Sequence, residues 1–322
     1  MTRRIDISWK TIIFIAVFLL GLWILYQIID LILLLFVAII FMSAISPLVI
    51  KLVSLRIPKA LGILLVYVVV LGILGGLLTV IFTPLINETT RLFLTLPPVV
   101  AELLKVGNID QSVLQSQFSD FSKNLFSFTK TIFDNFITII FLIVLTFYLL
   151  IERENLEKRA SLLFAGKEER VRQLLVEIEE KLGAWMRGQL ILSIIIGGLV
   201  YLGLSILQIP FALSLAILAG LLEVVPVIGP IISAVPAILL GLTISPLLAG
   251  GVTAMYFVIQ QLENHLIVPQ VMRKAVGLNP LVVILAIAVG GRLLGISGAL
   301  LAVPVTVVIQ VIFLDILKER KT

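Results

Sequence analysis

The sequence predicts an all-α polytopic integral membrane protein with about eight transmembrane segments, including two related broken-helix, re-entrant-like hairpins in its C-terminal half. Three observations carry this. Of 322 residues, 60% are hydrophobic and 13% charged, against about 45–50% and about 25% in soluble domains, and the mean hydropathy is +1.21. Uncharged stretches of spanning length recur at 11–29, 31–50, 60–87, 135–151, 188–222, 224–262, 275–291 and 293–314. The later stretches are interrupted by proline and glycine at matching places. Disordered, collagen-like and cytosolic classes are excluded. With no cysteine and one histidine, His265, there is no thiol chemistry and little basis for a histidine-built metal centre; no cofactor is expected.

The spans are helical because lipid leaves no unpaired backbone group tolerable. Phe14-Ile15-Ala16-Val17-Phe18-Leu19-Leu20 lacks the alternation of a barrel strand. The first span follows Arg3 and Arg4 but is too long for a signal peptide and has no small-residue cleavage site, so it reads as uncleaved. Arg3, Arg4 and Lys10, then Lys51, Arg56 and Lys59, flank the first two spans, while the turn between them holds only Asp30. That bias places the N-terminus in the cytoplasm of a plasma (inner) membrane protein. Residues 1–86 are then three helices, 87–134 an extracellular segment, and 135–151 a fourth helix returning inward. The net charge of +5 records basic cytoplasmic loops, and no nucleic-acid partner is expected.

Residues 152–187 hold eight basic and eight acidic side chains. Glu154 to Lys158, Glu168 to Arg172 and Glu177 to Lys181 have helical i,i+4 spacing, so this stretch reads as a cytoplasmic helical hairpin broken near Ala165-Gly166. It serves as a solvated connector or as a lever. A transport core (188–317) and a short tail (318–322) follow. Lys318, Arg320 and Lys321 favour a cytoplasmic C-terminus, whereas a re-entrant 281–299 would put that end outside.

Within the core, Pro210 precedes Gly220 by the same interval as Pro280 precedes Gly290. Ile228-Gly229-Pro230-Ile231-Ile232-Ser233-Ala234-Val235-Pro236 resembles Ile296-Ser297-Gly298-Ala299-Leu300-Leu301-Ala302-Val303-Pro304. Each copy reads proline, half-helix, glycine-bearing break, half-helix, Ala-Val-Pro. Pro226, Gly229 and Pro230 mark the first break, and Gly291, Gly295 and Gly298 the second. Paired interrupted segments point to a transporter's site near the bilayer midplane, so residues 210–245 and 280–316 are expected to face each other around a polar cavity. Glu223 and Arg292 lie at the two breaks, and a charge deep in a span is costly enough to suggest function; a structural ion pair is the competing reading. Gln261, Glu263 and Asn264 add oxygen donors for a polar solute or cation, with Gln260 beside them.

With these residues in view, the chain resembles the autoinducer-2 exporter family of PerM-like bacterial permeases. The carrying motifs are Glu223-Val224-Val225-Pro226-Val227-Ile228-Gly229-Pro230 and Glu263-Asn264-His265-Leu266-Ile267-Val268-Pro269. Val276-Gly277-Leu278-Asn279-Pro280-Leu281, Gly298-Ala299-Leu300-Leu301-Ala302-Val303-Pro304 and Arg187-Gly188-Gln189 also agree. The resemblance implies a homo-oligomeric transporter. Members have been assigned export of autoinducer-2, a small sugar-like solute, and others exchange of sodium or lithium for protons.

The expected function is therefore secondary, proton-coupled export of a small polar solute, with sodium(lithium)/proton antiport and an oligomeric channel as alternatives. No phosphate-binding Gly-x-x-x-x-Gly-Lys-Ser/Thr loop occurs. Gly295-Ile296-Ser297-Gly298 superficially resembles a rhomboid-protease serine motif with His265 as base, yet Ser297's counterpart in the first copy is Gly229, which cannot be a nucleophile, and no enzyme is expected.

Overall fold

A computed structural model describes residues 9–80, 136–225, 228–275 and 277–319; the extracellular segment expected at 87–134 lies outside them. Ten α-helices account for nearly all of the described residues: α1 Trp9–Gln27, α2 Ile29–Ser54, α3 Lys59–Val80, α4 Phe136–Leu162, α5 Glu168–Ile206, α6 Ala212–Leu222, α7 Ile228–Ile244, α8 Pro246–Leu262, α9 Val268–Ala275 and α10 Pro280–Glu319. A π-helical turn, Glu263–Ile267, joins α8 to α9. Six helices are long and apolar enough to cross a membrane, and α6 and α7 are shorter apolar helices. The chain is thus an all-helical polytopic membrane protein.

The N-terminal helices assemble on side-chain complementarity and one backbone device. Met42, Ile45 and Val49 of α2, Ile63 and Val66 of α3 and Leu150 of α4 form one buried cluster. Lys59 donates to the Ile151 carbonyl (3.0 Å) and Tyr67 to the Ile143 carbonyl (3.2 Å), fixing α3 antiparallel to α4. Pro47 lies inside α2 and has no N–H, which frees the carbonyl of Ser43. Arg187 of α5 donates to that carbonyl at 3.3 Å. Gly183 makes the approach possible, since a Cβ there would stand 2.8 Å from the Ser43 carbonyl carbon. By contrast α1 buries no residue.

The charged segment turns at Gly166 (φ 81°) between α4 and α5. Its strongest ion pairs join helices. Arg153 of α4 meets Glu179 of α5 at 2.6 Å and Ser46 of α2 at 3.0 Å, besides its own-helix partner Glu157 at 3.2 Å. Glu168 at the start of α5 takes the Gly166 N–H at 2.9 Å, which holds its carboxyl below the usual range.

α5 is the spine of the C-terminal half. Leu182, Trp185, Gln189, Leu192, Ile196, Val200 and Leu204 are buried at i, i+3 and i+4 spacing, which is one stripe of a helix. Ile196, Val200 and Leu204 pack against Leu215 and Ala219 of α6, Ala237 and Leu240 of α7, and Val252 and Tyr256 of α8. Leu182 and Trp185 pack instead against Leu301, Val303 and Val307 of α10.

Both expected helix–break–helix elements are present, and both fold back on themselves. In the first, α6 and α7 flank the break, and a Cβ on Gly229 would collide with the Leu222 carbonyl, seven residues earlier, which a continuous helix would hold about 10 Å away. In the second, α10 reverses at Leu294 (φ −130°, ψ 16°) and Gly295 (φ 61°, ψ −140°). A left-handed φ of this kind favours glycine. Gly290 and Gly298 then touch backbone to backbone. Asn279 caps the first arm by accepting from the Leu281 N–H at 2.9 Å, just as Ser245 caps α8 by accepting from Leu248 N–H at 3.1 Å.

The uncharged runs 188–222 and 224–262 contain α6, α7 and α8 as separate helices, as the break expected within 210–245 and the helix expected to end at 262 require. Two sequence expectations change. The two hairpins do not pack face to face; they occupy successive lengths of the α5 stripe. Finally, Arg170 near the start of α5 binds Asp315 near the end of α10 (2.7 Å). A re-entrant 281–299 therefore does not put the C-terminus opposite the charged segment, because the first hairpin is re-entrant too and parity is kept.

Candidate functional site

The site grows from the place where apolar sequence meets an interrupted backbone. α6 is eleven residues long, about 16 Å, and carries Glu223 as its C-cap. α8 ends at the π turn, whose first residue is Glu263. Tyr256 donates to the Ser233 carbonyl across the α7–α8 seam (3.3 Å), and this antiparallel register brings the end of α8 level with the first break. Glu223 and Glu263 meet there. They are 2% and 4% exposed, and their carboxyl groups lie close enough to interact.

Two carboxamides hold the pair. Gln189 Nε2 of α5 donates to the backbone carbonyl of Glu223 at 2.6 Å, and Gln260 Nε2 donates to Glu263 Oε2 at 3.2 Å. Among the described residues Glu223 Oε2 has no partner, and neither has the buried hydroxyl of Ser193 on α5. Two adjacent buried carboxylates repel strongly, and one shared proton removes that repulsion. The pair lies at the carbonyl end of α6, where the helix dipole favours positive charge.

The remaining residues singled out in the sequence separate. Gln261 and Asn264 are exposed. Gln261 lines an open depression of about 420 Å³ with Val258, Leu262, His265 and Leu266 on the outer side of α8. His265 Nδ1 lies 2.9 Å from the Gln261 carbonyl of its own helix. Arg292 is exposed near the second tip, and among the described residues it makes no ion pair with Glu223. Pro226 lies outside the described residues. Gly229 and Pro230 are buried at the first break, whereas Gly295 is exposed and Gly298 buried at the second.

The antiparallel register of α10 on α5, fixed by Arg170–Asp315 and by Trp185 against Leu301 and Val303, brings the Leu294–Gly295 turn level with about residue 190 of α5. The two tips thus approach one level of the spine from opposite ends. That level is two residues from Arg187, where the charged stretch of the sequence ends.

Sequence reasoning quoted Gln189 only within a motif and named Gln260 as a coordinating amide without separating it from Gln261. Gln189 is the one polar side chain in an otherwise apolar i, i+3, i+4 stripe, and that signal was readable. Gln260, not Gln261, shares the inner face of α8, because it stands one helical turn before Glu263 and beside the buried Tyr256 and Ile259.

Comparison with known proteins agrees with this architecture. The AI-2E family transporter model matches residues 12–318. YrrI of Bacillus subtilis (strain 168), provisionally named a transport protein, is 30% identical over 283 residues, covering 82% of this chain and 80% of its own. The AI-2 transport protein TqsA of Escherichia coli (strain K12) is 30% identical over 299 residues, covering 88% and 84%. A polytopic chain with paired re-entrant hairpins, matched by that family from its first helix to its last, belongs to the AI-2E family of membrane transporters.

Proposed function

We propose that this transporter is a proton-coupled exporter of a small polar solute of the autoinducer-2 type, and that Glu223 and Glu263 together carry the coupling proton. The observation behind this is the burial of two neighbouring carboxyl groups at the tip of the first hairpin. A group that must hold one proton when enclosed, and can release it only when a tip moves and water enters, links proton movement to conformation. The solute class is supported by the name of the relative TqsA. In this reading Gln261, Asn264 and Arg292, exposed near the tips, meet the solute from the aqueous side. The charge asymmetry of the loops supports a cytoplasmic N-terminus in the plasma membrane. A homo-oligomer is supported by α1, which buries nothing in one chain, and by the second tip, where Ile296 is 81% exposed beside backbone that lipid cannot satisfy.

Exchange of sodium or lithium for protons is the second reading. It is favoured by the position of the pair at the carbonyl end of α6, with no cationic side chain bonded to it. Proteoliposomes carrying an imposed pH gradient decide between them. Gradient-driven accumulation of autoinducer-2, without sodium, is the expected result. Accumulation of sodium alone would transfer the role to the second reading, and passive, voltage-driven current would make the protein a channel.

A further inference from the structure

We infer that Gln189 is the positioning residue of the carboxyl pair: its carboxamide latches the first hairpin tip to α5 and so sets the contact between Glu223 and Glu263. The inference rests on the proton-carrying reading of that pair, but the latch itself stands on geometry. Gln189 is 2% exposed, and a carboxamide enclosed among apolar side chains is costly unless it bonds. Its neighbours along the stripe, Trp185 and Leu192, are both 2% exposed and apolar. Its Nε2 spends a short bond, 2.6 Å, on the carbonyl of Glu223, the last residue of α6 before the break.

That choice of partner is informative. The carbonyls of Ala219, Leu221, Leu222 and Val225 each accept a backbone N–H within the tip, whereas among the described residues that of Glu223 accepts only from Gln189. A donor from the rigid spine supplies what the break removed. The charged groups around Gln189 are few. Glu223 faces it from α6 and Glu263 from the end of α8, Arg187 is turned away onto the Ser43 carbonyl, and Arg292 of α10 is exposed.

The native chain has no cysteine, so a single Val225→Cys places a label site at the tip without other changes. In that background Gln189→Leu keeps the bulk and removes the donor. Labelling by a membrane-impermeant maleimide should rise about tenfold, the population change expected when one hydrogen bond of ordinary strength is lost, and the pH profile of flux should shift. Gln189→Glu supplies a second arm should the leucine variant fail to fold. Its carboxyl donates only when protonated, so the tip should be protected in acid and exposed in alkali within one sample. Labelling and pH profile equal to the parent's in both variants would overturn the latch. Labelling that responds while flux in the parent ignores the pH gradient would keep the latch and overturn the proton reading instead.

Discussion

Replacing either carboxyl by its amide isolates what the shared proton does. Glu223→Gln and Glu263→Gln each keep the volume at a site 2–4% exposed, and a carboxamide can still hydrogen-bond its carboxyl neighbour without a shared proton. Folding should therefore survive. Coupling should not. If one proton moves with each solute, a gradient of one pH unit supplies about 1.4 kcal/mol, enough for about tenfold accumulation. Proteoliposomes with the parent protein should approach that ratio, while each single variant should equilibrate the solute at a ratio near one. The double variant should be no worse than either single one, because the pair acts as one unit. Solute trapped per internal volume is the measurement, with the pH gradient collapsed as the control. Tenfold accumulation in both single variants would show that the pair is structural and would refute the coupling argument.

Other expectations follow from the packing. Arg187→Met should cost about 1–3 kcal/mol by leaving the Ser43 carbonyl unpaired, and Pro47→Ala, which restores a backbone N–H to that carbonyl, should recover part of the loss in a double-mutant thermal-unfolding cycle in detergent. Gly298→Val should cost about 1–3 kcal/mol through overpacking, because a Cβ there would lie 2.7 Å from the Gly290 carbonyl carbon; thermal unfolding measures it, and an unchanged midpoint would mean the arms part easily. Arg170→Met should cost no more than about 1 kcal/mol, since the pair with Asp315 is 31% and 25% exposed and partly screened. Burial outweighs the attraction of Arg153 at Glu179 and pushes that carboxyl up from its ordinary value. Glu179 thus protonates more readily folded than unfolded, so its contribution to stability is fully present below the ordinary glutamate range and is lost as pH rises through the shifted value. Glu179→Gln should flatten that part of the stability–pH curve.

Charge and interruption were the features that the sequence displayed openly. Glu223 stood out as the single charge in residues 188–262, and its place at the break followed from the prolines and glycines beside it. Partnership was harder to read. Glu263 was visible within a motif, but its meeting with Glu223 depends on α7 and α8 returning antiparallel along the hairpin, a tertiary register that hydropathy does not encode. The choice between Gln260 and Gln261 turns on one hundred degrees of helix phase, which the buried Tyr256 and Ile259 settle only once the inner face of α8 is known. Arg292 looked like a counter-charge for Glu223 because the two occupy equivalent breaks. Equivalent places in two hairpins that enter from opposite ends do not have to touch. The breaks within 188–262 were legible from their prolines and glycines, but composition does not show how tightly the chain turns back there, whereas the collision awaiting a Cβ at Gly229 does.

The arrangement also explains why α5 is so long. Its 39 residues extend about 58 Å, far more than a bilayer needs, and both hairpins lie along one stripe of it. The outer hairpin rests on Ile196, Val200 and Leu204, and the inner one on Leu182 and Trp185. A single straight helix thus gives two elements of opposite entry a common ruler. Beyond the tips the inner hairpin continues to Asp315, where Arg170 ties it to the same helix, and Arg153 ties α4 there through Glu179. Movement of the charged end relative to the spine would be passed along α10 to its tip, whereas the outer tip is held locally by Gln189. The two tips therefore answer to different restraints although they meet at one level.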